Sequence, residues 1–132
     1  MPNLGEKRFS GAPDLIIEII SPSSASEDRV RKFDEYQRAG VREYWLVDPR
    51  PYQQQADFYL LGKDGLYHPA PLTEEGHYHS VVIPNFWLNL AWLWAEPLSN
   101  PQLCFAEIMV SLEELPTEVK DTYKSLVKIL SS

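Results

Sequence analysis

Apolar positions recur along this chain with two different periods. Between residues 15 and 20, "LIIEII" is aliphatic on both alternating faces, with Leu15, Ile17 and Ile19 pointing one way and Ile16, Glu18 and Ile20 the other. A strand apolar on both faces is expected in the middle of a sheet, covered on both sides. Ser21-Pro22 ends it, and a helix is expected next. Ser24 and Glu27 have the spacing of a capping box, and Gly40 suits the position just past a helix end. Between them Val30, Phe33 and Tyr36 recur at helical spacing, with Lys32 at the edge of that arc and Asp28 one turn before it. "VREYWLVDP", residues 41–49, reads as a second strand. Strand, helix and strand joined by a short exit turn predict a right-handed crossover between parallel strands.

Further on, "DFYLL" and "LYHP" flank "GKDG" and read as a hairpin. "HYHSVVI" reads as another strand, and "LNLAWLWAE" as a short apolar helix or turn that covers the sheet. Val119, Thr122, Tyr123, Leu126, Val127 and Leu130 follow the i, i+3, i+4 pattern and predict a terminal helix. Prolines near residue 100 separate this helical part, residues 102–131, from the sheet. The pattern as a whole is α/β with a mixed sheet.

Composition narrows the function classes. The 132 residues suit one domain, and a hydrophobic share of 44% with 23% charged residues is that of a globular protein. The net charge of −7 argues against a protein that coats nucleic acid generally, but it leaves room for a local basic groove. The basic concentration is Arg29, Arg31, Lys32, Arg38 and Arg42, interleaved with Glu27, Asp28, Asp34 and Glu35. It reads either as a solvated helix face or as a set of phosphate contacts. A single cysteine, Cys104, excludes an intramolecular disulfide framework and a multi-cysteine zinc site, and is expected to be a small buried apolar residue. The first ten residues carry no apolar leader stretch, and no run reaches the ~18 apolar residues of a membrane span, so the cytoplasm is the expected compartment. His77 and His79 share a strand face without a third ligand, His68 has no evident partner, and Tyr44 and Trp45 are expected to pack on the sheet. No glycine-rich phosphate loop, Ser-His-Asp order or dinucleotide fingerprint is present.

Glu18 stands out, because an ionised carboxylate is rarely buried unless it is paired or bound to metal. Two readings stay open from residue types alone: an ion pair with Lys32 or an arginine of the following helix, or a metal ligand. "GAPDLIIEIISPSS", then "DRVRK", then "EYQRAGVREYWLVDP" resembles a large bacterial family of restriction-endonuclease-like proteins, catalogued as domain of unknown function 820 within the PD-(D/E)XK nuclease superfamily. The resemblance spans residues 11–96. It implies a restriction-endonuclease-like mixed sheet with a C-terminal helix, and hydrolysis of DNA phosphodiesters with Mg²⁺ held by acids and a lysine that positions or activates water. On this chain Glu18 matches the second acid. The position two residues on is Ile20, and Lys32 on the next helix matches the lysine that substitutes there, with the Ile19 or Ile20 carbonyl as a possible further ligand. Asp28 is read as orienting Lys32 or as capping the first helical turn. Arg29 and Arg31 are the candidate nucleic-acid contacts.

The Pro13-Asp14 pair imitates the first acid of the family pattern. Residues four apart on a strand lie about 13 Å apart at ~3.3 Å per residue, and ligands of one Mg²⁺ each sit at ~2.1 Å. Asp14 is therefore expected only to start the strand. The resemblance places the first acid in an earlier strand, so the chain is expected to hold a partial core that lacks an N-terminal helix and the first strands. The expected division is a lead-in (1–10), a nuclease-like core (11–96) and a C-terminal helical extension (97–132). An exposed apolar edge on residues 15–20 would then be covered by a homodimer or another homo-oligomer. Two functions follow: a Mg²⁺-dependent DNA endonuclease, or a non-catalytic remnant acting as an oligomerisation or binding module.

Overall fold

The computed structural model describes residues 11–21 and 26–131, with residues 26–28 as backbone alone. The proposed Ser24–Glu27 capping box and the Asp28 side chain lie outside the described residues. Two compact units divide between Pro71 and Leu72.

In the first unit a four-stranded mixed sheet has the order β1 (Leu15–Ile19), β2 (Glu43–Asp48), β3 (Gln55–Leu61) and β4 (Tyr67–Pro69). β1 and β2 are parallel, with Glu18 opposite Leu46, and are joined through α1 (Ser26–Ala39). The other pairings are antiparallel. This is the strand–helix–strand unit that the sequence predicts. The helix stops where it does because Gly40 turns left-handed at φ 86°. There Gly40 N–H donates to Gln37 O at 3.2 Å and Val41 N–H to Tyr36 O at 3.1 Å, the paired bonds of a Schellman ending.

Helix α1 covers the sheet with a stripe of Arg29, Lys32, Phe33, Tyr36 and Gln37, all partly buried at i, i+3, i+4 spacing. Val30 is not part of it: 71% exposed, it faces away, contrary to the apolar arc read from the sequence. Phe33 sits edge-on to Tyr59 at 5.1 Å, Tyr67 at 5.2 Å and Tyr44 at 6.2 Å, and Tyr36 meets Tyr44 at 5.3 Å. Such edge-to-face aromatic pairs each contribute about 0.5–1.5 kcal/mol beyond their buried area. The helix is also tied to β4, because Tyr67 N–H donates to Gln37 Oε1 at 2.7 Å, while Tyr67 Oη donates to Val41 O at 2.9 Å. On the opposite sheet face Trp45 packs on Phe58 at 5.5 Å and donates through Nε1 to the fully buried Glu43 carboxylate at 2.6 Å.

Alternation alone makes β1 a central strand covered on both faces, whereas the resemblance leads to an exposed apolar edge on residues 15–20; the structure agrees with the second expectation. Among the described residues β1 is an edge strand, and Ile17 and Ile19 are 47% and 66% exposed. Among the described residues only the Ile16, Glu18, Ile20 face is covered, because α1 supplies the second layer on that side.

The second unit opens with an antiparallel pair, β5 (His77–His79) and β6 (Trp87–Asn89). The strand predicted over "HYHSVVI" ends at His79. Residues 80–86 turn back instead, with Asn85 at φ 63° and Ser80 N–H donating to Phe86 O at 3.0 Å. A 3₁₀ turn over Leu90–Leu93 follows, and Asn89 accepts from Ala91 N–H at 3.0 Å to cap it. The helical tail holds two helices, the second of them the terminal helix that the sequence predicts. The first, α2 (Pro101–Ser111), is capped by Asn100 and has Pro at its first position; the second is α3 (Thr117–Leu130). Phe105 meets Tyr123 edge-on at 5.9 Å, and Trp87 Nε1 donates to Ser111 Oγ at 2.7 Å, which joins β6 to α2.

Candidate active site

The carboxyl ends of parallel strands, with the following helix beginning above them, form the usual ligand crevice of an α/β sheet. Here that place is occupied by Glu18, Ile19 and Ile20 from the end of β1, by Leu46 and Asp48 from β2, and by Arg29 and Lys32 from the first turns of α1. The strand period puts Glu18 on the helix-facing side, and the helix period puts Lys32 above it. Lys32 Nζ lies 3.3 Å from Glu18 Oε1, and Tyr36, one turn on, donates its hydroxyl to Oε2 at 2.8 Å. Both side chains of the ion pair keep some solvent access, at 34% and 27%. They line a cavity of about 10 Å³, room for about one water molecule, so anything larger would have to sit at its mouth.

Tyr44 forms the cavity floor and is fully buried; its hydroxyl has no hydrogen-bond partner among the described residues. Burial, and then the negative charge of Glu18, push its ionisation far above the usual tyrosine range. Burial does the same to Tyr67, to about 12, and moves Tyr59 in the same direction. At the end of β2, Asp48 is held by Arg50 through Nε at 2.9 Å and Nη2 at 2.8 Å. Those hydrogen bonds lower the carboxyl below its ordinary value, with the Arg29 charge adding to the effect, and raise the guanidinium in return.

The structure thus brings together Glu18, Lys32 and Arg29. Arg31 lies on the exposed flank and pairs with Glu35 at 3.0 Å. Arg38 pairs with Asp34 at 3.1 Å, and Arg42 with Asp14 at 3.8 Å. Asp14 precedes β1, is exposed, and its carbonyl accepts from Glu43 N–H at 3.1 Å, the strand-start role expected of it. His77 stacks on Trp87 at 4.3 Å with His79 tilted against the same ring, and His68 reaches Asp64 at 2.9 Å. Cys104 is partly buried, which raises its thiol pKa.

Tyr36, Tyr44, Asp48 and Arg50 were not singled out as site residues from the sequence. Tyr36 was legible in principle, since it stands at i+4 from Lys32 and must share its side of the helix. Asp48 was legible by alternation from Leu46. The Arg50 clamp depends on how the turn after β2 folds, which residue spacing does not specify.

Among the described residues no group of three or more His, Cys, Asp or Glu is placed to hold a metal ion. One carboxylate remains a workable donor set for Mg²⁺, which usually takes one or two carboxylates and completes its shell with water and phosphate oxygens. Among the described residues no helix is long and apolar enough to cross a membrane. Residues 2–91 match the model of the Uma2 family, described as "Putative restriction endonuclease". A search of curated proteins finds no match to the chain.

Proposed function

Because the chain belongs to the Uma2 family of restriction-endonuclease-like proteins, we propose that it hydrolyses DNA phosphodiesters with Mg²⁺ at the Glu18–Lys32 site. The observation that carries this reading is the pairing of a strand-borne carboxylate with a helix-borne lysine at 3.3 Å, at the carboxyl end of a parallel strand pair. Glu18 would hold the ion, with the Ile19 or Ile20 carbonyl as a further ligand. When bound, the ion neutralises charge on the phosphate and lowers the pKa of a coordinated water.

The side chains do the rest. Tyr36 fixes Oε2 by its hydrogen bond and so sets the direction of the carboxylate. Lys32 keeps a positive charge beside Oε1, where it orients the attacking water and opposes the charge that builds on the phosphate oxygens. Arg29, on the same wall, is placed for a flanking phosphate, whereas Arg31 is directed along the solvated flank. In this reading residues 11–96 carry the nuclease core and 97–132 are an extension. A second copy of the chain covers the β1 edge.

Plasmid cleavage is the test. Cleavage that requires Mg²⁺ and falls by at least about a hundredfold in Glu18→Ala and Lys32→Ala is expected, on the scale of removing a charge-stabilising group from an active site. Activity that needs Mg²⁺ but survives Glu18→Ala would remove the site assignment. The contrasting reading, a non-catalytic binding or oligomerisation module, is favoured by one observation: Glu18 already has two hydrogen-bond donors, as a purely structural carboxylate would. It predicts no cleavage at all, with DNA binding or self-association retained.

A further inference from the structure

The turn after β2 presents a tyrosine in an unusual way. Tyr52 is fully exposed and sits at φ 65°, a left-handed conformation that a bulky residue adopts only under strain. The turn around it is locked. Gln53 N–H donates to Arg50 O at 3.0 Å, and the Arg50 guanidinium is clamped to Asp48 while also donating to Gln53 Oε1 at 2.9 Å. A lone exposed aromatic is ordinary. One held outward on a rigid, strained turn is not, and strain of this kind persists where the surroundings enforce it.

What the ring borders gives its use. Arg29, Asp48, Arg50, Tyr52, Gln53 and Gln54 line an open polar cleft of about 470 Å³. Arg29 also lines the Glu18 cavity, so the cleft adjoins the candidate active site across this residue. An aromatic face, neighbouring amides and an arginine are the three elements that hold an unstacked nucleotide. The ring takes the base face, amides take base edges, and the guanidinium takes the phosphate. Inside a duplex the base faces are covered by their neighbours, so a protruding ring has a stacking partner only where a strand is single or a base is turned out.

We infer that the β2–β3 turn is a nucleotide-holding element: Tyr52 stacks on an unpaired base, and Arg29 takes an adjoining phosphate, of a strand that runs on to Glu18. This rests on the nuclease reading for the destination of the strand, but not for its binding.

The test measures binding without cleavage, by fluorescence anisotropy of a short labelled single-stranded oligonucleotide and of its duplex, in EDTA. The whole chain is expected to bind the single strand more tightly than the duplex. Tyr52→Ala should weaken that binding by about tenfold or more, the scale of losing one base–aromatic stack, while Tyr52→Phe stays within about twofold. Tyr52→Gly separates binding from folding, because glycine relieves the left-handed strain: its melting temperature should rise while its binding falls. Equal binding by wild type and Tyr52→Ala, or tighter binding to duplex, overturns the inference. So does a Tyr52→Ala chain whose only change is a smaller mass in solution, which would make the ring a contact between copies. Failure of the nuclease reading shows separately, as cleavage indifferent to Glu18→Ala.

Discussion

The carboxylate of Glu18 is held by two donors that respond differently to substitution. Tyr36 needs only an acceptor, whereas Lys32 needs a charge. Glu18→Gln keeps the first and loses the second. Because the pair is about a third exposed on the lysine side, its loss is expected to cost about 1 kcal/mol or less. Urea unfolding should therefore show a nearly unchanged midpoint for Glu18→Gln, alongside abolished Mg²⁺-dependent cleavage. A loss of about 3 kcal/mol or more would instead mark a buried structural ion pair. The tyrosines behind it give a pH signature. Tyr44, Tyr59 and Tyr67 all ionise later in the folded chain than their ordinary 10.0, chiefly because burial penalises the phenolate. The folded state thus holds protons that the unfolded state releases. Their contribution to stability is fully present below pH 10 and is lost as pH rises toward about 12, where Tyr67 ionises. A phenolate absorbance titration should find these rings ionising together with unfolding. Read in a chain whose other four tyrosines are replaced by phenylalanine, ionisation near pH 10 while the chain is still folded would contradict the packing around Phe33.

Placement of Lys32 depends on where α1 ends as much as on where it begins. Gly40 holds φ 86° with no heavy atom within 4 Å of where a Cβ would stand, so Gly40→Ala meets a conformational penalty and no clash. The expected cost is about 1–2 kcal/mol, measured by chemical denaturation. No change would mean that the Gly40 turn re-forms another way. The same helix shows what could and could not be read from residues. Its span, its glycine stop and its two flanking strands were legible, because apolar alternation and a Gly at the end are local signals. The inward face was not. Hydrophobicity placed Val30 inside, yet the buried stripe contains Arg29, Lys32 and Gln37, and the polar ends of Lys32 and Gln37 are satisfied by groups far away in sequence. Periodicity alone makes the two-faced apolar run of β1 a central strand, because it reports which side chains are apolar, not how many neighbours a strand has; the exposed edge is expected only from the family resemblance. β6 was missed because its three residues run straight into a 3₁₀ turn, too short for any period to show. Glu43 passed unremarked for a related reason: an acid beside aromatic residues in a strand gave no hint that Trp45 would bond its buried carboxylate.

At the scale of the whole molecule, charge and edge pull against each other. Among the described residues β1 ends the sheet with a row of backbone donors and acceptors, beside Ile17 and Ile19 at 47% and 66% exposure. An apolar edge of this kind is a template for another strand. A second copy can pair β1 with β1 antiparallel across a two-fold axis, which gives each partner the same contacts. Each chain, however, carries a net charge of −7, so association must overcome repulsion between like-charged copies. The balance predicts a dimer that tightens as salt screens the charge, with the Debye length falling from about 10 Å at 0.1 M to about 3 Å at 1 M. Light scattering across a concentration series should show a dimer at micromolar chain, with a dissociation constant that drops as salt is added. Ile19→Lys places a charge on the pairing strand at a position that is 66% exposed, and should yield monomers that melt near the wild-type temperature. A wild-type chain that stays strictly monomeric at micromolar concentration in high salt would remove the dimer. The β1 edge would then be open in solution, and the Glu18 site would have to function within a single copy.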